Sequence, residues 1–112
     1  MEILIPEEIR RSPRLHAAAG SATSILESVD PPSGTTVRAE WSSYRDNSGR
    51  EGLDLSLSDG TDAATARIPS ERLLDGDFLL GRMIWVWGDL LQNQSHTLRS
   101  RFQATYQTLG ED

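Results

Sequence analysis

The chain has 112 residues and no cysteine, and its 17 acidic and 11 basic side chains give a formal net charge of −6 at pH 7. This length predicts a single domain, 1–112, and the absence of cysteine excludes disulfides and thiolate chemistry. The negative balance argues against nucleic acid as a partner. Without an apolar run of about 18 residues or a leader, we expect a cytoplasmic protein with no membrane partner.

The N-terminal arm, residues 1–12, contains the short apolar run Ile3–Ile5, which can add an edge strand to a sheet. A helix is predicted over 13–29, because Ser12 is a good N-cap before a proline and apolar or small residues recur every three or four positions. The positions that form this stripe are Leu15, Ala18, Ala22, Ile25, Leu26 and Val29. The two prolines that follow end the helix.

Between residues 35 and 68, apolar residues alternate with polar ones, which is typical of strands with one face in water. We predict a three-stranded antiparallel meander in which Asp59-Gly60 forms a two-residue type I′ turn. This turn would place Leu55 opposite Ala64. The predicted outer face presents cross-strand polar pairs rather than a site, from Arg38, Glu40, Ser42, Asp54, Ser56, Thr65 and Arg67.

After a short turn at 70–76, a long helix is predicted over 78–108 with Asp77 as its N-cap. Trp87 lies on the apolar stripe of this helix and is expected in the core, whereas Trp85 falls at the edge of the stripe beside Arg82. Trp85 is either covered by another element or faces solvent as an anchor for a partner. The predicted fold class is α+β, a three-stranded antiparallel meander packed on an N-terminal helix and a long C-terminal helix.

No catalytic, cofactor-binding or metal-binding residue is predicted. His16 and His96 are about 80 residues apart and neither has a second ligand at helical spacing. No nucleophile elbow is present, and the acidic turns lack the full ligand pattern of a calcium loop. The element order resembles that of double-stranded RNA-binding domains, but the last helix begins LDGDFLLGR where such a domain needs basic residues.

The function we expect is that of a protein-interaction domain, which binds a protein partner or itself through its C-terminal helix. The residues expected to make this contact are Trp85, Arg82, Leu98, Arg99, Phe102, Tyr106 and Leu109. In size, charge and element order the chain also resembles secretion chaperones and antitoxin or immunity proteins, which implies a basic protein as partner. Residues 40–77 hold nine acidic residues and four arginines, which agrees with that alternative. A small enzyme with a site of scattered Arg, Asp and His is the remaining alternative.

Overall fold

The computed structural model describes residues 1–29, 31 and 34–91. Their order is strand, two helices, three strands, a short 3-10 turn and a helix. The elements are β1 (Glu2–Leu4), α1 (Glu7–Arg10), α2 (Pro13–Glu27), β2 (Arg38–Arg45), β3 (Glu51–Ser58), β4 (Ala63–Ile68), the 3-10 turn Ser70–Arg72 and α3 (Gly76–Leu90). Within this described part, none of the helices is long and apolar enough to cross a membrane.

The sheet has four strands in the order β1-β2-β3-β4, because an edge strand at the run Ile3–Ile5, which was expected to add one, joins the predicted three-stranded meander. The additional strand, Glu2–Leu4, pairs parallel to β2, and the Glu2 backbone N–H donates to the Val37 carbonyl at 2.9 Å. A parallel pair needs a long crossover connection. Helices α1 and α2 provide it. The three remaining strands form the predicted antiparallel meander.

The turn between β3 and β4 differs from the predicted type I′ turn. Ser58 pairs with Ala63, which leaves a four-residue loop, and Leu55 therefore lies opposite Ala66 rather than Ala64. A type I′ turn needs positive φ at both central residues, but among the described residues only glycines, including Gly60, have positive φ. The Asp59 carboxylate instead accepts hydrogen bonds from two backbone N–H groups within the loop, at 2.9 and 2.7 Å.

Helices α2 and α3 cover one face of the sheet, as predicted, and pack against each other. The Ser12 hydroxyl caps α2 by accepting from the Leu15 N–H at 3.4 Å, and the helix ends at Glu27, two residues before the predicted end. The Trp41 indole N–H donates to the Thr23 hydroxyl at 3.0 Å and so ties β2 to α2. The buried side chains on the covered face of the sheet are Ala39, Trp41, Leu53, Leu55, Leu57, Ala64, Ala66 and Ile68.

Helix α3 begins earlier and ends earlier than predicted. Asp75, not Asp77, is the N-cap, because its carboxylate accepts from the Phe78 N–H at 3.1 Å and allows Gly76 to start the helix. The helix ends at Leu90, because the C-cap Leu91 has a ψ of 1°, which is not a helical value. The predicted extent to residue 108 is therefore wrong. The remainder of the predicted helix, 92–108, lies outside the described residues.

The two tryptophans of α3 face opposite environments. Trp87 is fully buried at 0% exposure and lies in one cluster with Leu79, Met83 and Leu90, as expected for the core position. Its indole N–H has no hydrogen-bond partner among the described residues. Trp85 is 53% exposed. Of the two alternatives, coverage by another element and exposure to solvent, the second therefore holds.

The burial of these residues predicts unequal effects on stability. Trp87→Ala should lower the free energy of unfolding by about 3–5 kcal/mol, because it empties a large buried site. Trp85→Ala should cost clearly less, because more than half of its surface is already in water. Urea denaturation of both variants measures the difference, and equal losses would contradict the observed orientation of α3.

Candidate functional site

The exposed side of α3 carries an aromatic and basic surface formed by Phe78, Arg82 and Trp85, here called the tryptophan patch. These residues are four and three positions apart, so they lie along one face of the helix. The Arg82 guanidinium lies 4.9 Å from the centre of the Phe78 ring and 6.0 Å from that of Trp85. Both distances fit cation–π contact, which holds the arginine beside the exposed indole.

The first turn of α3 is fixed by Asp75, which positions the tryptophan patch. Besides capping the helix, its carboxylate accepts from the Arg72 guanidinium at 2.8 Å. The hydrogen bond from the Phe78 backbone N–H, followed by the one from Arg72, lowers the pKa of Asp75 below its usual value. Arg72 also lies 5.7 Å from the centre of the Phe78 ring. Phe78, the first residue of the patch, is therefore contacted by Asp75 at its backbone N–H and by Arg72 at its ring.

The face of the sheet opposite the helices, the outer face, presents cross-strand polar pairs as predicted. Asp54 lies directly opposite Arg67, and the arginine donates to both carboxylate oxygens at 2.8 and 3.0 Å. The same guanidinium lies 3.8 Å above the centre of the Tyr44 ring. The hydrogen bond to Asp54 raises the pKa of Arg67 above its usual value, so the guanidinium stays charged. A further ion pair, between two residues of β2, joins Arg38 to Glu40 at 3.1 Å.

Tyr44 lies over Gly52, its partner across the β2–β3 pair. A Cβ atom added to Gly52 would come within 2.5 Å of the Tyr44 ring and within 2.7 Å of the Ile68 carbonyl oxygen. Glycine at this position therefore allows the ring to lie flat on the sheet, where it supports the Arg67 guanidinium.

Two depressions adjoin on the outer face, and together they are called the outer groove. The larger, of 580 Å³, joins the outer face to Arg82 and Trp85 of the tryptophan patch. The smaller, of 410 Å³, extends to β1 and to Arg10 at the end of α1. Both are lined by Ser42 and Ser56, so the two depressions meet over β2 and β3. The remaining lining residues are Ile3, Leu4, Ile5, Pro6, Glu40, Trp41, Asp54, Leu55, Thr65, Ala66 and Arg67.

The structure therefore brings together two of the residues predicted from the sequence, Arg82 and Trp85. The other five predicted contact residues lie outside the described residues; they are Leu98, Arg99, Phe102, Tyr106 and Leu109. The groove was not predicted from the sequence, because the alternating pattern of the strands indicates only polar pairs on the outer face. The alternating serines and threonine of β2, β3 and β4 were its one visible signal, since small side chains leave space above a sheet.

The groups needed for metal or histidine chemistry do not assemble in the part of the chain that the structure describes. His16 is exposed on α2, and His96 lies outside that part. Within it, no three His, Cys, Asp or Glu side chains come close enough to hold a metal ion.

The close approach at Gly52 predicts that Gly52→Ala lowers the free energy of unfolding by about 1–3 kcal/mol, the usual cost of overpacking. The backbone oxygen of Ile68 cannot move away as a flexible side chain can. Gly20→Ala is the matched control, because Gly20 lies exposed in α2 with open space around it and should gain about 0.5–1 kcal/mol. Similar changes in both variants, measured by urea denaturation, would contradict the packing of Tyr44.

The lowered pKa of Asp75 predicts an acid-dependent contribution to stability. The contribution is present above the usual carboxyl pKa and is lost as the pH falls through the lower folded-state pKa. Asp75→Asn keeps a capping acceptor but removes the charge, so the stability of this variant should fall less steeply than that of wild type between about pH 5 and 2. Thermal unfolding across that range measures both slopes, and parallel slopes would show that the charge of Asp75 contributes nothing.

Comparison with known proteins adds no family to these observations. No model of a protein family matches the chain, and no curated protein or solved structure matches it either.

Proposed function

We propose that this chain is a non-enzymatic interaction domain that binds a protein partner, or a second copy of itself, through the tryptophan patch of α3. The observation that carries the proposal is the 53% exposure of Trp85. The other two tryptophans, Trp41 and Trp87, are 3% and 0% exposed, so the fold has room to bury large aromatic side chains. Leaving one in water fits a residue that is covered by another molecule.

The composition of the patch supports the proposal. Tryptophan and arginine are the residue types most enriched among those that dominate the energy of protein interfaces, and here Arg82 lies against Trp85. A flat ring fixed beside a positive charge offers both apolar area and a donor of strong hydrogen bonds. The absence of cysteine is compatible with a reducing compartment, and the cytoplasm is the location we propose.

The proposal predicts that Trp85→Ala removes partner binding without unfolding the domain. Wild type and the variant, each immobilised, are exposed to a lysate of cells that express the chain, and retained proteins are quantified by mass spectrometry. A partner retained by wild type should fall by about tenfold or more with Trp85→Ala, the usual effect of removing a dominant interface residue.

Leu74→Ala is the matched control, because Leu74 is also a large exposed apolar residue, at 72%, but does not line the outer groove. This variant should retain the partner at the wild-type level. Light scattering of wild type and of Trp85→Ala at micromolar concentration tests whether the chain associates with itself through the tryptophan patch. If the Trp85→Ala protein stays folded and neither its retained proteins nor its mass in solution differ from wild type, the tryptophan patch is not an interface.

A further inference from the structure

The outer groove adds a second contact surface to the tryptophan patch. The side chains that line the groove indicate which kind of partner segment it binds. We propose that the groove binds a short extended segment of the partner protein, one that carries a carboxylate near each end and an apolar side chain for Trp85. This inference rests on the proposed function, because Trp85 forms part of the groove as well as of the patch.

The size of the groove fits a few residues of extended chain. The groove runs from β1 to β4 across a four-stranded sheet. Neighbouring strands are about 4.8 Å apart, so the three intervals span roughly 14 Å. An extended segment covers about 3.3 Å per residue, and four or five residues therefore reach from one edge of the sheet to the other.

The charges that line the groove are unbalanced in favour of arginine. The two acids in the groove are already paired, Glu40 with Arg38 and Asp54 with Arg67. Arg10 and Arg82 lie at opposite ends of the groove, and neither forms an ion pair with a described residue. Although the whole chain has a net charge of −6, the uncompensated charges here are positive. Carboxylates match them, because a guanidinium can donate two parallel hydrogen bonds to one carboxylate.

The middle of the groove suits the backbone of a bound segment. Its floor carries the hydroxyl groups of Ser42, Ser56 and Thr65, each of which can donate and accept a hydrogen bond. The peptide groups of a bound segment need both a hydrogen-bond donor and a hydrogen-bond acceptor. The ends of the groove provide apolar surface, from Leu4 on one side and Trp85 on the other, at 36% and 53% exposure. The groove thus has hydroxyl groups in its middle and an apolar residue with an arginine at each end. This arrangement favours an acidic, partly apolar peptide.

The test uses a phage library that displays random peptides of about seven residues, selected on the full chain. We expect enrichment of peptides with acidic residues about four or five positions apart and an apolar residue between or beside them. Synthetic versions, labelled for fluorescence polarisation, give the dissociation constants. Arg10→Gln and Arg82→Gln should each weaken binding by about tenfold, the usual effect of losing a charge-assisted hydrogen bond. Arg50→Gln should not, because Arg50 is an exposed arginine without an ion pair that lies outside the groove.

The outcomes separate this inference from the proposed function. If Trp85→Ala abolishes peptide binding while both arginine variants bind normally, the carboxylate-binding groove is overturned and the contact through Trp85 stands. If the arginine variants weaken binding and Trp85→Ala does not, the groove binds peptide without Trp85, and the proposed function, which depends on Trp85, fails. Failure to enrich acidic peptides overturns the inference.

Two other occupants would also overturn the inference. Free succinate that competes with the peptides at equal concentration would show a small-molecule site. A wild-type dimer that both arginine variants dissociate would show that a second copy occupies the groove.

Discussion

The architecture depends on the burial of one face of the sheet under two helices that lie side by side. Alanines make this close approach possible: Ala18, Ala19 and Ala22 on α2, and Ala39, Ala64 and Ala66 on the sheet, are at most 5% exposed. The space that they leave is filled by Trp41 and Trp87, the largest side chains of the core. Because the described helices cover only this face, the other face has to be built from side chains that are stable in water.

That division of the sheet explains why its outer face is both polar and shallow. Serine and threonine at the centres of β2, β3 and β4 keep the surface low, whereas the paired Asp54 and Arg67 rise beside Tyr44. The ion pairs on this face are at least partly exposed, so each adds little to stability. Their larger effect is on charge: they neutralise the acids of the face and leave the arginines at its ends without counter-ions.

Much of the fold could be predicted because its periodicities are local. The two-residue alternation of Leu53, Leu55 and Leu57 places the strand and its buried face without any knowledge of the neighbouring strands. The angle between Trp85 and Trp87 on a helix likewise separates the edge from the core. The short run Ile3–Ile5 was harder, because a three-residue strand carries little pattern and its parallel partner lies more than 30 residues away along the chain.

The errors have equally specific causes. The length of the loop between β3 and β4 depends on hydrogen bonds from the backbone to Asp59, which compete with the two-residue turn that Asp-Gly favours. The cap of α3 could be either of two aspartates two positions apart, and only the position of the Phe78 N–H selects Asp75. The groove required knowledge of where α3 lies relative to β4, which depends on tertiary packing.

The parallel pairing of β1 links the shape of the outer groove to local opening of the chain. Only three residue pairs join β1 to β2, whereas eight join β2 to β3. A segment held by so few pairs detaches at a lower free energy than the meander unfolds, and hydrogen exchange of its amides follows that smaller value. When it detaches, Leu4 and its neighbours leave the groove. Any molecule that contacts Leu4 in the groove must therefore favour the docked strand, so occupancy of the surface and protection of the β1 amides are thermodynamically coupled.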